Sequence, residues 1–281
     1  MEHVNSPERQ RHRGERDTAV RRGGRARSGA LGSEFWTDRT VAWYERANAE
    51  SDYATRVLEA VGPALDDCRD ALEVGAGFGA LTLPLSRRLR SVTALEPAPA
   101  MARALRATAA ATGLGNLAVI EAAWGEVPLR PYDLVLCAHV GGLLDGGSPF
   151  LHAVGSVARR VVVLVRDLPA RSDDDKFFYR ELYPTLLGRP YEHGCRADDT
   201  VASLERLGIR PAVTAIEYSS DQPFSDFEEA CDFWMTYMGL EGEEPRAFLR
   251  RFLDERLERR GGQLVAPFRK RAAVITWRPG A

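Results

Sequence analysis

Residues 71–85 read ALEVGAGFGALTLPL: a short apolar strand, three alternate glycines, then an apolar-periodic segment. Glycine adopts positive φ without steric cost, so such a turn lets the backbone approach a ligand closely while the next helix aims its N-terminus at it. Two nucleotide-binding patterns fit this turn. Gly75, Gly77 and Ala80 satisfy the G-x-G-x-x-G/A spacing of a dinucleotide site, whereas Glu73, Gly75, Gly77 and Gly79 spell E-x-G-x-G-x-G. Either pattern places the turn at the carboxyl end of a parallel strand in an open α/β sheet.

The flanking sequence keeps that rhythm. Short runs rich in Val, Leu and Ala predict strands at 69–74, 91–96, 117–121, 132–138 and 160–165, with helices at 79–90, 98–112 and 148–158 between them. Alternation of this kind implies a parallel sheet covered on both faces. Upstream, 33–49 and 51–65 read as helices with Ser33 and Ser51 as N-caps and Gly62-Pro63 as a stop. Downstream, a helix over 198–209 and a strand at 211–218 precede two helices, at 225–240 and 244–262, and KRAAVITW closes the chain as a last strand. The expected fold is a doubly wound, seven-stranded, mostly parallel sheet in one domain over 33–281, with helical cap insertions at about 167–197 and 220–262.

Composition limits the partners. The 281 residues are 44% hydrophobic and 28% charged with a net charge of −2, which gives no global electrostatic case for nucleic acid or membrane. Residues 1–32 carry eight arginines, four acids and almost no large apolar residue, so they read as a disordered tail without the apolar region of a signal peptide. Without that tail the chain is net −6, which disfavours nucleic acid as a partner of the body. No apolar run is long enough to span a bilayer. Cys68, Cys137, Cys195 and Cys231 lie far apart with no C-x-x-C pair, so a reducing cytoplasm is the default. His139, His152 and His193 are not at metal-ligand spacing with carboxylates, and no metal is expected. The oligomeric state is not legible.

Two features decide between the nucleotide readings. Glu73 sits two residues before the first glycine, where a carboxylate would repel a pyrophosphate but welcome an ammonium or sulfonium. A sixth and a last strand then follow the five-stranded core, with no second nucleotide-binding half. Glu96 ends the second strand 19 residues beyond Gly77, where an acid grips ribose hydroxyls. S-adenosylmethionine, with its ribose, sulfonium and amino-acid head, uses both acids.

On these residues the chain resembles the class I S-adenosylmethionine-dependent methyltransferases, most nearly the small-molecule branch that includes ubiquinone-biosynthesis-like enzymes. LEVGAGFG (72–79) looks like the first motif, VTALEPAPAM (92–101) like the second, VIEAAWGEVP (119–128) like the third and YDLVLCAHVGGLL (132–144) like the fourth. The resemblance implies cofactor contacts from Glu73, Gly75, Ala76, Gly77, Glu96, Pro97, Met101, Ala123, Trp124 and Ala138, with Tyr44 from the N-terminal helix. It departs from the family at Ala123, where an Asp usually accepts from the adenine amino group; the Trp124 N–H and ring stand beside that position. His139, at the end of the fourth strand, is the candidate general base, or else a group that only orients the acceptor.

The implied activity is methyl transfer to a small organic acceptor. Trp36, Tyr44, Phe177, Phe178, Tyr179, Tyr183, Tyr191, His193, Trp234 and Tyr237 could line a chamber under the cap, though for any single aromatic a core role is favoured. Cys137, Cys195 and Cys231 raise a thiophilic acceptor, with packing the stronger reading. The rivals are an RNA methyltransferase, motivated by the arginine tail, and a catalytically silent S-adenosylmethionine-binding protein, motivated by Ala123. An NAD-dependent dehydrogenase lacks an evident Ser-Tyr-Lys or His-Asp set.

Overall fold

Each apolar run between glycine or polar punctuation becomes a strand of one sheet. The computed structural model describes residues 32–169, 176–192 and 197–280; the tail up to residue 31, His193 and Cys195 lie outside them. The sheet is built from β1 (Asp70–Val74), β2 (Ser91–Leu95), β3 (Leu117–Ile120), β4 (Tyr132–Ala138), β5 (Ala158–Asp167), β6 (Ala212–Ser219) and, after three cap strands, β10 (Arg269–Trp277). Its order is β3-β2-β1-β4-β5-β10-β6. The first five pair in parallel, and β10 runs antiparallel to both β5 and β6. All seven strands agree with the sequence expectation to within about two residues.

The strands of this centre read as continuous apolar runs because both faces are covered. One face packs under α2 (Tyr53–Val61), with Val57, Leu58 and Val61 against Leu134, Leu136, Val163 and Val274. The other packs Leu72, Val135 and Leu164 against α5 (Pro149–Ala153) and α7 (Ala197–Arg206). The helices after β1 and β2 are α3 (Thr82–Ser86) and α4 (Pro99–Ala111). Of these, α3 is far shorter than the expected 79–90, because Gly79 (φ 101°) keeps the chain in a turn.

The cap lies over the carboxyl ends of the strands and holds the largest departures from expectation. It comprises α1 (Asp38–Ala49), α6 (Tyr179–Leu187), α8 (Phe227–Met238), α9 (Glu243–Asp254) and a separate three-stranded sheet, β7 (Gln222–Phe224), β9 (Gln263–Ala266) and β8 (Glu258–Arg260). The second insertion was expected to be helical to residue 262, but helix α9 stops at Asp254. Gly261 and Gly262, both at positive φ, close a tight hairpin that pairs Arg260 with Gln263. Two consecutive positive-φ residues suit a two-residue hairpin turn, which overrides the helical period of the preceding arginines. The N-cap of α1 is Thr37, in a capping box with Thr40, and not Ser33, which opens a short 3-10 turn. Ser51 does accept from the Tyr53 amide at 3.1 Å, with Asp52 as the residue flanking α2.

Candidate active site

The glycine turn is held by its neighbours before any ligand is considered. The amides of Gly75 and Ala76 both donate to the Leu95 carbonyl, at 2.7 and 3.2 Å, tying the end of β1 to the end of β2. Gly75 has φ 72°, and a β-carbon there would sit 2.2 Å from Val140 Cγ2. Glycine is therefore required both for its dihedral and for the close approach of the β4 end. Gly77 (φ 58°) has only Met101 Sδ, at 3.9 Å, near the position of a β-carbon, so the turn leaves a cradle at the strand edge.

Glu96 is buried, with each carboxylate oxygen accepting one backbone N–H: Gly77 at 2.7 Å and Ala98 at 2.8 Å. Burial raises its pKa, while those two amides pull the other way. It fixes the turn and retains lone pairs for a further donor. Pro97 and Met101 follow it, Met101 packing with Phe78 and Val41 below α1. Trp36 and Tyr44 stack at 5.7 Å, and Tyr44 meets Phe78 edge-on at 4.9 Å, so α1 lies across the turn.

Glu73 behaves differently from a solvated acid. It is 3% exposed and accepts from Thr82 Oγ1 at 2.5 Å. Burial pushes its pKa up to about 8, against the Thr82 hydrogen bond and with a smaller push from Glu96. In the free protein at neutral pH this carboxyl holds its proton, and a cation brought beside it would favour release.

At the end of β3, the Ala123 amide donates to Glu126 Oε2 at 2.7 Å, so a carboxylate returns to this corner from three residues along the chain. The Trp124 ring meets Phe150 of α5 edge-on at 4.9 Å. Ala138 ends β4, where Cys137 and Ala138 pair with Leu164 and Val165 of β5. Its successor, His139, takes φ 57° and donates its amide to the Val165 carbonyl at 2.9 Å. The left-handed backbone turns its side chain toward the end of β5, where Nδ1 lies 2.9 Å from Asp167 Oδ1. An ionised Asp167 accepts from Nδ1–H and so leaves Nε2 with its lone pair. That nitrogen is buried and has no hydrogen-bond partner among the described residues. The Tyr53 ring is 5.4 Å away, and its hydroxyl is likewise buried without a partner.

The structure thus gathers Gly75, Ala76, Gly77, Glu96, Pro97, Met101 and Tyr44 around one turn, with His139 at the next strand end. It sets Trp124 against α5 and directs Glu73 inward toward Thr82. Sequence reasoning missed Asp167 and Tyr53, which lie 28 and 86 residues from His139 in the chain. Asp167 lies two residues beyond the strand expected at 160–165, and Tyr53 sits within the helix expected at 51–65, so neither carried a signal of its own.

Most aromatics proposed for the chamber are core of the cap. Phe177, Tyr179, Tyr183 and Trp234 are buried together, with Phe178, Tyr191 and Tyr237 packed against them. Cys137 and Cys231 are buried, and burial raises both thiols, Cys231 to about 11, so packing is their role and thiolate chemistry is disfavoured. The described residues contain no cluster of metal-ligating side chains and no helix long and apolar enough to cross a membrane.

A sheet of this order, with a glycine turn closing β1 and a buried acid following β2, is the Rossmann-like fold of methyltransferases. Residues 71–159 match the family model of a methyltransferase domain. The chain thus carries a methyltransferase domain and is an enzyme, with S-adenosylmethionine as its cofactor; the match does not distinguish the ubiquinone-biosynthesis-like branch. Among solved structures it is similar to a candidate methyltransferase of Bacillus halodurans, with 16% identity and a TM-score of 0.52 over 81% of this chain and 99% of that one. It is also similar to the YcgJ protein of Bacillus subtilis (16%, TM-score 0.48, 78% and 97%) and to a SAM-dependent methyltransferase of Aquifex aeolicus (18%, TM-score 0.47, 64% and 92%). At these identities the likeness is one of fold. Comparison with curated proteins gives no match.

Proposed function

We propose that the enzyme methylates an oxygen or nitrogen of a small organic acceptor held beneath the cap, with His139 as general base. The observation that carries this reading is the buried, bare Nε2 of His139, fixed in tautomer by Asp167 at 2.9 Å. A base so oriented takes the acceptor proton as the nucleophile attacks, which contributes typically ~10²–10⁴-fold. When bound, S-adenosylmethionine supplies an electrophilic methyl on a sulfonium. The residues that would hold it are the Gly75–Gly77 turn, with its open cradle, and Glu96, whose remaining lone pairs suit ribose hydroxyls. Glu73 stands behind the turn as an acid able to ionise beside a cation.

The cap supports a small acceptor over a polymer, because α1 crosses the glycine turn and α8 and the second sheet pack against α1. The net-negative body supports the same choice. His139→Gln and Asp167→Asn test the base. Both are expected to lower turnover by ~10²-fold or more with S-adenosylhomocysteine affinity by calorimetry unchanged. Near-wild-type turnover with an unaltered pH–rate profile in His139→Gln would reduce this histidine to a wall of the site.

A further inference from the structure

Tyr53 packs its ring beside that of His139 at the end of β4. It opens α2, its amide held by Ser51 Oγ at 3.1 Å, while the neighbouring Asp52 accepts from the Ser219 amide at 2.9 Å. These bonds pin the start of α2 to the end of β6. The Tyr53 ring contacts Tyr218 of β6 at 4.8 Å on one side and His139 at 5.4 Å on the other. Tyr53 is 6% exposed, and neither its Oη nor His139 Nε2 has a hydrogen-bond partner among the described residues; nor do the two bond each other. Buried polar atoms are nearly always satisfied, so two orphans on neighbouring rings in an enzyme point to an absent partner common to both. Their chemistry differs. Burial, with Tyr218, Tyr44, Glu73 and Asp167 nearby, holds the Tyr53 phenol protonated, so it can donate. In the neutral imidazole with Nδ1–H on Asp167, His139 Nε2 is an acceptor.

We infer that Tyr53 is an acceptor-binding residue, and that the acceptor is a hydroxylated molecule with a second oxygen beside the reacting hydroxyl, as in a catechol or an enolised dicarbonyl. This rests on the reading of His139 as the base. The reacting hydroxyl donates to His139 Nε2 and the adjacent oxygen accepts from Tyr53 Oη, so one ligand edge satisfies both orphans. A simple alcohol or amine satisfies His139 and leaves the Tyr53 hydroxyl bare. In the transfer the acceptor oxygen bonds to the methyl carbon as the carbon–sulfur bond breaks, its electron pair remaining on sulfur. The hydroxyl proton passes to His139 Nε2 and then to solvent, leaving a methyl ether and a neutral thioether.

Catechol and phenol are the probes, compared by calorimetry on the full chain with S-adenosylhomocysteine present. The wild type is expected to bind catechol about tenfold more tightly than phenol, the worth of one buried hydrogen bond. Tyr53→Phe is expected to bring catechol down to the level of phenol while keeping its melting temperature and S-adenosylhomocysteine affinity. A wild type that binds neither probe, or does not discriminate, overturns the inference. So does a catechol preference that survives in Tyr53→Phe. Failure of the base reading shows separately, as undiminished turnover in His139→Gln with the Tyr53 binding contrast intact.

Discussion

Glu96 does two jobs with one carboxylate. Its oxygens fix the Gly77 and Ala98 amides, and in the proposed function its remaining lone pairs hold the ribose of the cofactor. Glu96→Ala is therefore expected to weaken S-adenosylhomocysteine binding by ~2–3 kcal/mol, the scale of charge-assisted hydrogen bonds lost from a buried site. Calorimetry checks this, and undiminished affinity would remove Glu96 from the cofactor site. At this same scale the first-strand acid did not behave as its sequence position suggested. Glu73 reads as a carboxylate waiting for a cation, but burial beside Thr82 lifts it to about 8. Burial under the folded sheet decides that ionisation, against the opposing hydrogen bond from Thr82, and burial is a tertiary property.

Elements dock through a few polar anchors set in apolar packing, and Glu229 is the clearest. It sits on α8 but accepts from Trp43 Nε1 of α1 at 3.0 Å, from the Ser225 amide at 2.7 Å, and from Arg46. Burial alone would raise its pKa, yet Arg46, Ser225 and Trp43 outweigh burial and hold the pKa at about 2. A folded pKa below the unfolded value gives stability that is present above about 4.5 and is lost as pH falls toward about 2. Glu229→Gln is expected to flatten the fall in melting temperature between pH 5 and 3 and to cost ~1–2 kcal/mol at pH 7, with the Arg46 pair partly exposed and discounted accordingly. Thermal melts across that range check it; an unchanged acid limb would place the α1–α8 anchor elsewhere. The hairpin at Gly261-Gly262 teaches the same lesson about elements. Its arginine-rich approach has a helical period, and only pairing with β9 makes it a strand.

For the whole molecule, the arginine-rich, core-poor tail should contribute nothing to folding. A chain starting at Ser33 is expected to melt within about 2 °C of the full length, given that a segment with almost no large apolar residue cannot offset its ordering entropy. A drop several times larger would show that the tail docks on the domain. Retained cofactor binding with lost RNA retention would favour an RNA acceptor. The sheet, its strand boundaries and the glycine turn were legible because each rests on local causes: apolar runs set by two-sided burial, and glycines required at positive φ. The tie of Glu96 to that turn was legible for the same reason, since it follows β2 at fixed spacing from Gly77. The cap's second sheet was not legible, because its short strands exist only through one another. Nor was the grouping of His139 with Asp167 and Tyr53. Those three come from a strand end, another strand end and a helix start, distant in the chain and joined only by parallel pairing of β4 with β5 and the packing of α2 on β6 and β10. Local sequence determined the scaffold and the turn that suits S-adenosylmethionine. The company of His139 was decided by tertiary structure, because Asp167 and Tyr53 reach it only through strand pairing and helix packing, and only burial leaves Nε2 and the Tyr53 hydroxyl without water.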